Sequence, residues 1–155
     1  MRSRDCAPMA LSRWMEDVIA EPQRALPVPT PETQHFWDGV NAGELLLQRC
    51  TPHGHVYFPP RPFCPECASR EVEVFRASGK ATLYSYVICQ RPAPGFAAPY
   101  SIATVELDEG PRMMTNIIGV DQTPDALVLD MPLTVTFQMV AEGVVLPLFQ
   151  PRSAA

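Results

Sequence analysis

Cys50, His53, Cys64 and Cys67 are the residues of this chain best suited by type and spacing to do chemistry, and that chemistry is metal coordination. The run from position 50 to 67 holds three of the five cysteines and two of the three histidines. It reads as C-x2-H, a linker of ten residues, then C-x2-C. Two ligands three residues apart curl into a knuckle whose backbone N–H groups also face the sulfur. Two facing knuckles close a tetrahedral zinc site with no open position, which makes the metal structural. Gly54 follows His53 and suits the positive φ of such a turn, while Pro65 stiffens the second knuckle. His55 competes with His53 for the fourth position, although the three-residue step favours His53. The alternative is a redox CxxC pair. That pair usually opens a helix in a βαβ unit, and the prolines at 62 and 65 do not suit one.

These ligands need elements to hold them. A short strand over residues 45–49 delivers the chain into the first knuckle. Before it, a helix is expected to start at Thr30-Pro31, with Thr30 as cap and Pro31 at the first helical position. Phe36, Trp37 and Val40 form its apolar face, and Gly43 stops it. Residues 1–29 read as an arm. Leu11, Trp14, Met15, Val18 and Ile19 make one stripe on a short amphipathic helix, followed by an extended Leu-Pro-Val-Pro linker. This stripe either packs at home or docks on another chain, with Leu11, Trp14 and Val18 as the anchors.

After Cys67 the period changes to two. Strands are expected over residues 72–75 and 81–90, then in a hairpin of 100–107 and 112–118 joined by Asp-Glu-Gly-Pro. They continue around Leu133, Val135, Phe137 and Met139, and finally at Leu146, Leu148 and Phe149. In the 81–90 strand Leu83, Val87 and Cys89 share one face. About five strands without long helices between them indicate a small barrel. The class is therefore mainly β: an N-terminal helix or helices, a zinc ribbon, then a five-stranded barrel. The expected units are an arm (1–29), helix plus ribbon (30–76) and barrel (77–155).

Eighteen prolines against eight glycines fit many short elements with stiff connections. No apolar run approaches the ~18 residues of a membrane span, and no secretory leader is evident. An odd cysteine count with a metal-like cluster points to a reducing compartment, hence the cytoplasm. Of the net charge of −5, residues 81–155 carry three basic and seven acidic groups.

The order of parts resembles the domain of unknown function 35 family, a rubredoxin-like zinc ribbon followed by an OB-fold. The resemblance rests on Phe58-Pro59-Pro60-Arg61, Cys64-Pro65-Glu66-Cys67 and Gly79-Lys80-Ala81-Thr82-Leu83-Tyr84-Ser85-Tyr86. It continues in the Pro-Gly-Phe loop ending at Phe96, Val105-Glu106-Leu107-Asp108-Glu109-Gly110-Pro111 and the terminal Leu-Pro-Leu-Phe-Gln-Pro. It covers roughly residues 30–152. The family commonly has cysteine where this chain has His53, and glycine where it has Asp130. The resemblance implies a non-catalytic subunit accompanying thiolase-like enzymes, hydroxymethylglutaryl-CoA synthase, steroid side-chain aldolases or hydratases in a hetero-oligomer, and helping to bind acyl-CoA.

Two other readings compete. Zinc ribbons and OB-folds also bind single-stranded nucleic acid, but such a groove needs a basic track, and this barrel is acidic. A free-standing enzyme lacks a nucleophile and base in register: His53 is committed to metal, and Cys89 lies within a strand pattern as a small hydrophobe. No catalytic residue is expected. An acyl-CoA ligand would need cations for its phosphates, and Arg61, Lys80 and Arg91 are the candidates, with Phe96 walling the thin arm. For each cation a surface salt bridge is the alternative.

Overall fold

The computed structural model describes residues 24–152. The arm stripe with Leu11, Trp14 and Val18 lies outside the described residues.

One helix, α1 (Gln34–Asn41), opens the described fold. Thr30 does not cap it. Residues 30–33 form a turn in which the Thr30 N–H and hydroxyl both bond the Thr33 hydroxyl, at 2.9 and 3.1 Å, so the helix starts a turn later. Phe36, Gly39 and Val40 are its buried residues, and the Gly43 N–H bonds back to the Val40 carbonyl where the helix ends.

The ribbon sheet has three antiparallel strands in the order β2-β1-β3, with β1 Leu46–Cys50, β2 Val56–Tyr57 and β3 Val72–Arg76. The second sheet contains β4 Lys80–Cys89, β5 Tyr100–Leu107, β6 Arg112–Thr115, β7 Pro132–Ala141 and β8 Val144–Pro151. Its order is β6-β5-β4-β7-β8. The sheet curls so that its ends meet: Ile117 bridges Phe149 in parallel, and the Ile118 N–H donates to the Phe149 carbonyl at 2.8 Å. The result is a five-stranded half-barrel consistent with an OB-fold, and the chain is mainly β, as the sequence indicated.

Two details depart from the pattern. A β-bulge between Leu83 and Ser85 inserts a residue into β4. Leu83 is fully buried, but beyond the bulge the faces exchange: Val87 is 55% exposed while Tyr86 and Ile88 pack on the core. Cys89 is consequently half-buried opposite Tyr100 rather than a core residue. The second departure is Asp130, whose φ of 62° lies in the left-handed region. The same position commonly carries glycine in the resembled family, and Asp tolerates that region better than most residues. The Asp130 N–H donates to the Leu83 carbonyl, and Leu83 donates to the Met131 carbonyl, so the loop before β7 pairs with β4 at the bulge.

One large buried cluster runs through both sheets, beside a smaller one around Cys50, Tyr57 and Cys64. Phe36 and Val40 of α1, Leu45 and Leu47 at β1, and Leu83, Val105, Leu133 and Phe149 of the barrel belong to one buried cluster. Helix and ribbon therefore sit on the barrel through shared apolar packing. Each fully buried Leu or Phe contributes about 1.5–3 kcal/mol.

Candidate metal centre and the adjoining cleft

The metal centre is built from two copies of one turn. In the first, the Cys50 N–H donates to the His55 carbonyl (2.8 Å) and the Gly54 N–H donates to the Cys50 carbonyl (2.7 Å). In the second, Cys64 donates to Ser69 (2.8 Å) and Ala68 donates to Cys64 (2.9 Å), the same pattern fourteen positions on. The fourth residue after each cysteine has positive φ: 73° at Gly54 and 57° at Ala68. Glycine takes this conformation freely; Ala68 holds it under strain.

The turns bring Cys50, His53, Cys64 and Cys67 together, with ligand atoms all within 4.8 Å of one another. Bond lengths of about 2.3 Å for Zn–S and 2.0–2.1 Å for Zn–N give tetrahedron edges of about 3.8 Å between sulfurs and 3.6 Å between sulfur and nitrogen. Here Cys50 Sγ lies 3.7 Å from Cys67 Sγ and 3.5 Å from His53 Nε2, and Cys64 Sγ lies 3.9 Å from that nitrogen. The donor set fits tetrahedral zinc. His55 stands outside it: Nδ1 is 3.3 Å from a Glu66 carboxylate oxygen, and its ring stacks on Tyr57.

Burial pushes the Cys50 thiol up to about 11, its two cysteine neighbours adding to the shift. Burial acts the same way on Cys64, but N–H groups of Cys67 and Glu66 directed at its sulfur outweigh it, and that thiol lies below its ordinary value. Bound zinc would hold the sulfurs as thiolates and cross-link the two turns. Cys50 and Cys64 are buried and pack on Tyr57, whereas His53 and Cys67 are exposed.

The four residues expected to serve acyl-CoA are not gathered in one place. Arg61 is exposed on the ribbon, its backbone N–H held by Gln48 Oε1 at 2.7 Å. Lys80 is the first residue of β4 and Arg91 lies just past its end, and a ten-residue strand spans about 30 Å. Lys80 and Arg91 therefore cannot hold one phosphate group between them. Of the four, Phe96 lines a cleft of about 910 Å³ between the start of β5, the segment after β6 and the β7–β8 hairpin.

Two further residues of this cleft carry information that strand and motif reading missed. Arg24 lies over the Phe96 ring at 4.1 Å, and its Nη2 donates to Asn116 Oδ1 at 3.3 Å. Phe96 in turn stacks on Tyr100, centroids 4.8 Å apart. Gln122 donates through Nε2 to the Ile117 and Val120 carbonyls, and its Oε1 is buried with no partner among the described residues. The only sequence hint was the glycine before Phe96. A Cβ at Gly95 would fall 2.3 Å from Arg24 Cβ and 2.9 Å from its backbone, so the position requires glycine.

Comparisons with known proteins agree with this architecture. Residues 37–73 match the family model described as the ChsH2 rubredoxin-like zinc ribbon domain, and residues 75–138 match the ChsH2 C-terminal OB-fold domain. The chain is 32% identical over 139 residues to a probable enoyl-CoA hydratase alpha subunit of Thermomonospora curvata, covering 88% of this chain but 43% of that protein. It therefore spans less than half the length of that relative. It is 36% identical over 115 residues to a DUF35 domain-containing scaffold protein of Methanothermobacter thermautotrophicus, covering 72% of this chain and 85% of the other. Among solved structures, a chain of the Ltp2-ChsH2(DUF35) aldolase superposes with a TM-score of 0.74 at 32% identity, covering 81% of this chain and 98% of that one.

Proposed function

This chain belongs to the DUF35 family of zinc-ribbon and OB-fold proteins, and from that premise we propose that it is an accessory, non-catalytic subunit of an acyl-CoA-processing enzyme. It fills most of the length of a scaffold relative and less than half of a hydratase subunit, and that contrast carries the reading. The metal centre supports it. Four protein ligands leave no coordination position for a water or substrate, so the site braces the fold and activates nothing.

The partner is a hydratase, aldolase or thiolase-like subunit in a cytoplasmic hetero-oligomer, with Leu11, Trp14 and Val18 of the arm as its anchors. Within the chain, residues 30–76 serve as the helix-and-ribbon unit and 77–155 as the barrel unit. No helix among the described residues is long and apolar enough to cross a membrane. The acidic barrel disfavours a nucleic-acid strand. We assign the pantetheine arm of the acyl-CoA to the cleft beside Phe96, and assign Lys80 and Arg91 no shared phosphate contact.

Co-expression with a candidate enzyme subunit, followed by native mass spectrometry and turnover assays, tests the reading. A stable complex whose activity requires both chains is expected, with weaker association once residues 1–23 are deleted. Hydratase, aldolase or thiolase turnover by the purified chain alone would refute it.

A further inference from the structure

We propose that Arg24 is the anion-binding residue of the cleft, set to receive a phosphate of a ligand whose arm passes beside Phe96. The inference rests on the acyl-CoA reading above and names a residue and a contact for it.

Arg24 is a half-buried guanidinium with an unusual set of neighbours. Arg49, Arg76 and Arg112 are more exposed, need partners least, and each pairs with a glutamate. Arg24 pairs with no described carboxylate, although acidic groups outnumber basic ones in this chain. Its neighbours are instead an amide oxygen and an aromatic face. A charge taken partly out of water is costly unless something of opposite sign meets it.

Its position is nonetheless fixed. Asn116 is locked by donating to the Ser101 carbonyl at 2.5 Å while its own carbonyl accepts from Phe149. The Gly95 backbone lies directly against that of Arg24. A guanidinium has five N–H donors, and Asn116 takes one at 3.3 Å. The donors with no partner among the described residues belong to the planar fork that suits phosphate oxygens.

Gln122 helps close the wall of the cleft: both its Nε2 bonds go to backbone carbonyls, and its Oε1 is buried. A ligand for this cleft carries an anion for Arg24 joined to a slim portion that passes Phe96 and Tyr100. Coenzyme A has that chemistry: phosphates joined to a thin pantetheine arm.

The test titrates the zinc-loaded full chain with coenzyme A, with pantetheine, which lacks phosphate, and with inorganic pyrophosphate. Coenzyme A should bind the wild type, and Arg24→Ala should weaken it about 10- to 100-fold, the value of a charged hydrogen bond. Pantetheine affinity should not change in Arg24→Ala. Pyrophosphate should compete with coenzyme A in the wild type and not in the variant. Gly95→Ala, which displaces Arg24 while keeping its charge, should also weaken coenzyme A, and Arg24→Lys should recover part of the loss. Equal coenzyme A affinity in wild type and Arg24→Ala would overturn the assignment. If Phe96→Ala then abolishes binding, the acyl-CoA reading survives without Arg24. Binding of neither coenzyme A nor pyrophosphate to the wild type overturns the site altogether, and the accessory-subunit reading is then judged by complex formation alone.

Discussion

His53→Ala and His55→Ala should separate sharply in metal affinity, although the two rings are only 6.3 Å apart. His53 presents Nε2 to two sulfurs at 3.5 and 3.9 Å, while His55 is turned to Glu66 and Tyr57. Structural zinc contributes about 10–16 kcal/mol in small zinc domains. Divided evenly over four ligands, each accounts for about 2.5–4 kcal/mol, or roughly 10²–10³ in dissociation constant. His53→Ala should lose affinity by that factor. His55→Ala removes an exposed pair contributing at most about 1 kcal/mol and should leave affinity within a few-fold. Competition against a chromogenic chelator reads both, and elemental analysis should give one zinc per wild-type chain. A melting curve adds an independent check, because metal bound to the native state alone raises its stability by mass action. Wild-type affinity in His53→Ala, or a large loss in His55→Ala, would refute the ligand set.

Substitutions at three other positions probe the frame. Phe149→Ala should cost about 3–5 kcal/mol, because the side chain is fully buried at the seam where the barrel closes. For a chain of this size that is a fall of roughly 10–15 °C in calorimetric Tm. Asp130→Val should destabilise by about 1–2 kcal/mol through the left-handed φ, while Asp130→Gly should melt near or above the wild type. Arg112→Ala loses a 2.7 Å pair with Glu106 and a contact 3.5 Å over the Tyr84 ring, both on the surface. A drop of no more than about 1 kcal/mol, shrinking as salt is added, is expected in denaturant titrations.

The metal ligands were legible because coordination by a knuckle is a local matter: Cys50 with His53, and Cys64 with Cys67, are each set by three residues of spacing. The strands were legible where alternation held, as along all of β5 and in β7 up to Phe137, where Leu133, Val135 and Phe137 face the core; Met139 beyond them is exposed. At β4 alternation misled, because the Leu83–Ser85 bulge reverses the faces, beside a hydrogen bond to Leu83 from Asp130, 47 positions on. Thr30 had the composition of a helix cap, yet its hydroxyl is engaged by Thr33. The cleft was least legible of all. Arg24, Phe96 and Asn116 meet only through tertiary folding, and an arginine beside a proline linker carries no mark of its destination. Lys80 and Arg91 were grouped by charge and by place in the chain, and neither shows that a ten-residue strand lies between them.

The twin turns of the metal centre imply an order of events when metal comes and goes. The inner sulfurs, Cys50 and Cys64, are shut inside the protein, and the outer donors, His53 and Cys67, face solvent. A chelator, an alkylating reagent or an oxidant can approach from one side only and meets His53 and Cys67 first. Release is then a stepwise exchange in which the outer donors change hands before the inner pair, and its rate should depend on the concentration of the competing ligand. Loading runs in reverse, with Cys64, whose thiol gives up its proton more readily than usual, waiting at the bottom of the site. Under oxidative stress the exposed Cys67 is the first sulfur at risk, so damage would begin at the rim and the interior sulfurs would follow only after the ion had gone.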